Sequence, residues 1–129
     1  MPNNKSKGTK VERELFQMFI SNSYRAVRVA GSGMMDKADC DIIAGKRGKK
    51  YCIEVKASKK PIKYISKKQI EEFIVFSDIF KLKPVIAVRF NRLGWFFLKP
   101  EHLIDSGRNF VVGLELARKK GKRFSQFFL

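Results

Sequence analysis

Apolar residues recur at helical spacing near the start of the chain. Val11, Leu15, Met18 and Phe19 fall at i, i+4, i+7 and i+8, which predicts a helix running from Thr9. Thr9 with Glu12 three residues on has the pattern of a capping box, and Ser21-Asn22-Ser23 should end the helix. The period then shortens to two. Arg25 to Ala30 places Ala26, Arg28 and Ala30 on one side and Val27 and Val29 on the other, the alternation of a strand. Gly31-Ser32-Gly33 opens a loop to about Ala38. Cys40–Ala44 and Tyr51–Ala57 read as two strands joined by a turn from Gly45 to Lys50. Ser66 is placed to cap a second helix, Lys67 to about Phe80, with Ile70, Phe73, Ile74 and Phe76 as its apolar side. Val85–Phe90 and Gly94–Leu98 follow as strands around a turn at Asn91-Arg92. From Gly113 to Phe128 the pattern fits either one helix or a strand followed by a helix. Helix, three strands, helix, two strands is the order of a single α/β domain with a central mixed sheet flanked by helices, and no linker or repeat divides residues 1–129. Residues 1–8 are polar and are expected to be flexible.

The hairpin concentrates the chemistry. On Tyr51–Ala57, Cys52, Glu54 and Lys56 share one face, while Tyr51, Ile53, Val55 and Ala57 share an apolar face suited to a core helix. If Gly45 and Lys50 close the turn as a pair, Asp41 falls directly opposite Glu54, with Cβ atoms about 5 Å apart. Two carboxylates so placed repel each other unless a cation lies between them. Hard oxygen ligands with neither His nor Cys favour Mg²⁺, with Mn²⁺ as its substitute. Lys56 stands beside them, able to orient a water and to offset phosphate charge. A one-residue slip in register would dissolve the arrangement. The bland alternative is a solvated ladder of ion pairs. The same register puts Cys40 and Cys52 on opposite sides of the sheet, so they are read as separate buried thiols.

Charge changes the picture most. Lys and Arg number 28 against 12 Asp and Glu, a formal charge of +16 on a chain that is 44% hydrophobic with 12 Phe. A foldable domain this basic implies a polyanionic partner, with nucleic acid favoured over an anionic membrane surface. No segment approaches the ~20 apolar residues of a membrane helix, and the basic start runs into Val11-Glu12-Arg13-Glu14 rather than an apolar signal core. An intracellular, cytoplasmic, nucleoid-associated protein is expected. With His102 the single histidine, histidine-based catalysis is set aside.

Three stretches resemble the D…(D/E)-x-K nucleases, and within them the archaeal Holliday-junction resolvases: Lys7-Gly8-Thr9-Lys10-Val11-Glu12-Arg13-Glu14, then Val27–Gly33 leading to Asp41-Ile42-Ile43-Ala44, then Tyr51–Lys60. The resemblance implies a restriction-endonuclease-like fold and a homodimer that cuts four-way DNA junctions in recombination and repair. It implies that Asp41, Glu54 and the Val55 carbonyl bind metal, that Lys56 positions the water, and that Glu12 completes the acidic site. Arg13, Arg28 and Lys59 would contact phosphates, and Ser32 would approach DNA near the cut. Cys40 stands where many members have proline, with Asp36 and Asp39 close by; the strand argument selects Asp41. Read from the residues alone, Glu12 is equally a capping acid, and Arg28 needs either a core carboxylate or a phosphate. Trp95-Phe96-Phe97-Leu98 and Phe124–Leu129 offer either a dimer surface or the closing of the core. Two other functions stay open: a nuclease of the same superfamily acting on other DNA, and a basic nucleic-acid-binding protein without catalysis.

Overall fold

The computed structural model describes residues 4–29 and 39–129, with side chains from Gly8 onward. Helix α1 spans Asn4–Ser21, and is followed by β1 (Arg25–Arg28), β2 (Ile42–Lys46), β3 (Lys49–Ser58) and β4 (Ile62–Ser66). Helix α2 (Lys67–Phe80) leads to β5 (Lys83–Phe90) and β6 (Gly94–Leu98), then β7 (Ile104–Asp105), β8 (Asn109–Gly113), α3 (Leu114–Lys120) and α4 (Phe124–Phe128). A five-stranded sheet has the order β1-β2-β3-β5-β6, parallel only between β3 and β5. A second sheet, β4-β8-β7, packs beside it.

Both faces of the large sheet are covered, so its central strands are apolar on both sides. Val85 and Ala87 of β5, Ile53 of β3 and Trp95 and Phe97 of β6 join Leu15 and Phe19 of α1 in one core. Ile86, Val88 and Phe90, with Cys52, Phe96 and Leu98, join Ile70 and Phe73 of α2 in the other. Glu14 ties α1 to the sheet: its Oε1 accepts from Arg89 Nε at 3.0 Å and from Trp95 Nε1 at 2.8 Å.

The hairpin register is the one expected. Gly45 pairs with Lys50 and Ile42 with Ile53, and the strands run one pair further, to Lys46 and Lys49. The turn is therefore only Arg47-Gly48, with Gly48 at φ 79°, in the left-handed region that glycine enters without strain. The α2 boundaries are also as expected, with Ser66 Oγ accepting from the Gln69 N–H at 3.3 Å.

Several expectations are corrected. Helix α1 begins at Asn4, so Thr9 lies inside it and Thr9–Glu12 is not a capping box. Strand β1 stops at Arg28. Ile74 is not on the buried side of α2; Ser77 is, because Ile70, Phe73 and Ser77 follow the inward stripe while Ile74 is turned out. Strand β4 gave no signal, since its apolar residues Ile62 and Tyr64 face outward and only Ile65 is buried. After Gly113, where β8 ends, the chain forms two short helices, broken at Gly121, where a side chain would collide with the Ala117 carbonyl. The cysteines are both free but share the α2-side core, not opposite sides. Regular alternation fails for Cys40 because the β2 ladder begins only at Ile42. Burial pushes both thiols up to about 12, which keeps them protonated.

The aromatic segments close the core. Phe97 and Phe128 are fully buried, and Phe19, Tyr24, Tyr51, Phe124 and Phe128 stack edge to face or tilted around them. The Tyr24 hydroxyl donates to the Phe128 carbonyl at 2.6 Å, pinning the last helix under the hairpin. Among the described residues, no helix is long and apolar enough to cross a membrane.

Candidate active site

The site forms where β2 gives out and β3 continues. The Asp41 N–H donates to the Ile53 carbonyl at 3.0 Å, and its carbonyl accepts from the Val29 N–H at 2.8 Å. Beyond Asp41 the ladder lacks a backbone partner, and the side chain supplies one: Asp41 Oδ2 accepts from the Val55 N–H at 2.7 Å. Asp41 is thus held at backbone and carboxylate together. In a strand, the N–H and C=O of one residue point to the same neighbour, so the Val55 carbonyl is directed to this same gap.

Glu54 lies one residue back on β3 and is only 3% exposed. Its face of the sheet is the one covered by α2, and Gln69 from the first turn of that helix reaches it, with Nε2 donating to Glu54 Oε1 at 3.3 Å. The other oxygen, Oε2, is buried without a hydrogen-bond partner. A buried orphan acceptor is costly, and a carboxylate in that state is held protonated or awaits a cation. Burial foremost, and the neighbouring Asp41 charge next, push Glu54 up to about 8 despite Lys56. Asp41 is also raised by burial, against the Val55 N–H and the Lys56 charge. The two acids lie within hydrogen-bond reach of each other and repel when both are charged, as expected of adjacent buried carboxyl groups.

Lys56 projects from the same face as Glu54 and donates from Nζ to Gln69 Oε1 at 2.9 Å. On the α1 side, Glu12 pairs with Arg28 Nη2 at 3.6 Å. Glu12 is raised by partial burial and by Asp41, and lowered by Arg28. The partner Arg28 has is therefore a half-buried helix carboxylate, while its Nε is left buried and unpaired. Glu12, Arg28, Asp41, Glu54 and Lys56 thus form one electrostatic group drawn from α1, β1, the β2 edge and β3.

The remaining residues singled out are more dispersed. Arg13 is exposed on α1. Lys59 is exposed and lines a cleft of about 860 Å³ with Lys10, Lys56, Lys60, Lys63 and Arg89. Ser32 and Asp36 lie outside the described residues; Asp39 is half-buried. Gln69 was not anticipated. Its only signal was position three after the Ser66 cap, which reads as a capping partner, yet the side chain turns to Glu54 and Lys56 instead.

Among the described residues, no three His, Cys, Asp or Glu side chains converge into a ready-made metal cage. The donor set is two carboxylates and a backbone carbonyl, which suits a hard ion that keeps several waters. The orphan Glu54 oxygen is the observation that fits such an ion.

Comparison with known proteins agrees with this geometry. The archaeal Holliday junction resolvase (Hjc) family model matches residues 3–128. The crossover junction endodeoxyribonuclease Hjc of Archaeoglobus fulgidus is 34% identical over 131 residues, covering 96% of each chain. Its namesake in Methanocaldococcus jannaschii is 38% identical over 106 residues, covering 82% of this chain and 75% of that one. The solved structure of A. fulgidus Hjc, a Holliday junction resolvase, has a TM-score of 0.84 at 28% identity, covering 92% of this chain and 98% of that one. The restriction-endonuclease-like expectation for the fold is borne out by that match.

Proposed function

The chain belongs to the archaeal Holliday junction resolvase family, and on that premise we propose that it is an endonuclease that cuts four-way DNA junctions by metal-dependent phosphodiester hydrolysis. The observation that carries the reading is the buried Glu54 carboxylate beside Asp41, with an oxygen lacking any donor, in a chain of charge +16. Asp41, Glu54 and the Val55 carbonyl would hold Mg²⁺, or Mn²⁺ in its place. When bound, the ion lowers the pKa of a coordinated water and polarises a phosphate oxygen. Asp41 is held in place for this by the Val55 N–H. Glu54, raised to about 8 chiefly by burial, would have to ionise to serve as a ligand, which lies within reach near neutral pH. Lys56 orients the attacking water and offsets the negative charge that grows on the phosphorus oxygens. Glu12, engaged with Arg28, acts by holding that guanidinium toward the acids rather than as a principal ligand. Arg28, Arg13 and Lys59 contact phosphates, and the lysine-lined cleft beside Lys56 continues that track.

The substrate's symmetry argues for a homodimer with two active sites. The aromatic segments Trp95–Leu98 and Phe124–Phe128 pack into the interior, but α2 offers another surface. Val75, Ile79 and Phe80 are 58%, 68% and 58% exposed on its outer side, beside Ile74, a contiguous apolar stripe that a second α2 would cover. Ile79→Glu should leave the fold intact and weaken dimerisation about a hundredfold or more, since each copy loses the burial of one isoleucine. Sedimentation at micromolar concentration reads this directly, and a monomeric wild type would end the dimer proposal. Action inside the cell on the nucleoid, in recombination and repair, is part of the same reading.

The test is cleavage of a labelled four-way junction beside a linear duplex of equal length, with Mg²⁺ and with chelator. Paired cuts confined to the junction and dependent on Mg²⁺ are the expected result. Equal cutting of both DNAs would make it a nuclease of broader target. Tight binding without cutting under Mg²⁺ or Mn²⁺ would reduce it to a basic binding module.

A further inference from the structure

We propose that Gln69 is a positioning residue of the active site, holding Lys56 off Glu54 and selecting which Glu54 oxygen receives the cation. The inference rests on the hydrolytic reading of the Asp41–Glu54–Lys56 centre and extends it to a residue on a different element.

Glu54 and Lys56 are two residues apart on one strand face, roughly 7 Å between positions. A lysine stem is long enough to close that gap, and left alone the ammonium would pair with the buried carboxylate. Such a pair would satisfy Glu54 internally and withdraw Lys56 from the phosphate. Gln69 stands between them. Its Oε1 accepts from Lys56 Nζ at 2.9 Å and its Nε2 donates to Glu54 Oε1 at 3.3 Å. The Lys56 bond fixes which way round the amide lies, because the flipped form would set an NH₂ against the ammonium. A neutral residue with one acceptor and one donor thereby links the ammonium to the buried acid and keeps them apart.

The consequence is asymmetric. Glu54 Oε1 is engaged, and Oε2 is left as the buried oxygen with no partner. Gln69 is itself fixed by the fold. Its backbone N–H is taken by Ser66 Oγ, Ser66 pairs with Asn109 in the small sheet, and Ile70 and Phe73 anchor the same helix in the core. The register between the helix start and β3 therefore sets the orientation of Glu54. Helix α2 also carries the exposed stripe proposed for dimerisation, so one element serves both the centre and the partner surface.

The experiment uses the full chain with Gln69→Met, which keeps length and loses both bonds, and Gln69→Glu, which keeps shape and the acceptor but sets a second acid against Glu54. For Gln69→Met, Mn²⁺ binding without DNA, followed by loss of the free-ion EPR signal, should weaken about tenfold. Single-turnover junction cleavage should slow by roughly 10–100-fold. Junction affinity in chelator should stay at the wild-type value, a split that a general structural defect would not produce. Gln69→Glu should also cleave more slowly, whereas a residue that merely fills space would tolerate it. Wild-type Mn²⁺ affinity and rate in Gln69→Met, or a wild-type rate in Gln69→Glu, would overturn the proposal. If Gln69→Met fails to fold, the rate of Gln69→Glu decides alone. Failure of the hydrolytic reading looks different: the wild type would not cut, or Glu54→Gln would cut as well as the wild type.

Discussion

Replacing Glu54 by glutamine is expected to remove junction cleavage while leaving junction binding intact or slightly tighter. The two side chains have the same shape, and Gln69 can still donate to an amide oxygen at the Oε1 position. What disappears is the buried anion that pairs with Asp41 to hold the cation. A two-carboxylate site reduced to one loses both ion affinity and the alignment of the water, so a rate loss of about a thousandfold or more is expected. Binding follows a different rule. It draws on the lysines and arginines of the cleft, and removing an acid from a site that faces phosphate lowers repulsion. Gel-shift titration in chelator and single-turnover cleavage in Mg²⁺ separate the two effects. Equal loss of binding and cleavage would mark Glu54 as a structural residue.

In chelator, the folded protein should lose stability as the pH rises from about 6 to about 9, and Mg²⁺ should restore it at the upper end. The folded-state pKa of Glu54 is raised to about 8 from an ordinary 4.5, chiefly by burial and then by Asp41. Between those values the folded chain keeps a proton that the unfolded chain has released. The unfolded state binds fewer protons there, so unfolding becomes easier as pH climbs through the window and levels off above the folded pKa. Asp41, shifted upward as well, acts in the same direction. The loss across the measured range should be roughly 2–3 kcal/mol, on the order of 5–10 °C in the melting midpoint. Both buried cysteines, raised from 9 to about 12, add a loss of the same sign above about pH 8, so the Glu54 contribution is read as the difference between wild type and Glu54→Gln. Glu54→Gln should flatten the profile and be more stable than wild type at high pH. A wild-type melting point that does not change with pH in chelator would mean that Glu54 is not held protonated. Cation binding to the folded state alone should raise the midpoint, most at high pH where no proton competes.

The hairpin shows how much was readable in one dimension. A period of two, a glycine-bearing turn and the pairing of Gly45 with Lys50 sufficed to set the hairpin register as far as Ile42 and Ile53, because strand alternation is a local rule with an exact repeat. Asp41, expected directly opposite Glu54, lies beyond the ladder and is held near it by its bonds to Ile53 and Val55. The same holds for α2, whose cap and apolar stripe set its boundaries. Where the local rule stopped, so did its reach. Cys40 lies two residues before the first ladder pair, and its side chain went to the α2 core rather than the face that alternation assigned. Strand β4 was silent because its outward residues are apolar, the inverse of the usual signal.

Other features depended on which elements meet. From composition alone, Trp95–Leu98 and Phe124–Leu129 were as suited to a partner surface as to the interior; packing under α1 and the hairpin made Phe124 and Phe128 core along with Trp95–Leu98, and left Leu129 exposed. The exposed apolar stripe turned up instead on α2, where a second hydrophobic row lies behind the first. Arg28 needed an anion, and the crossing of α1 over β1 supplied Glu12. Gln69 had only a capping position to recommend it, and no periodicity links it to a strand thirteen residues away. The sequence by itself determined the strand and helix periods, the hairpin register and the excess of positive charge, since each is a property of neighbours along the chain. Only the tertiary structure decided the partners of Arg28 and Lys56, the free oxygen of Glu54 and the outward face of α2, because contacts between elements depend on how their faces are covered, which no local spacing encodes.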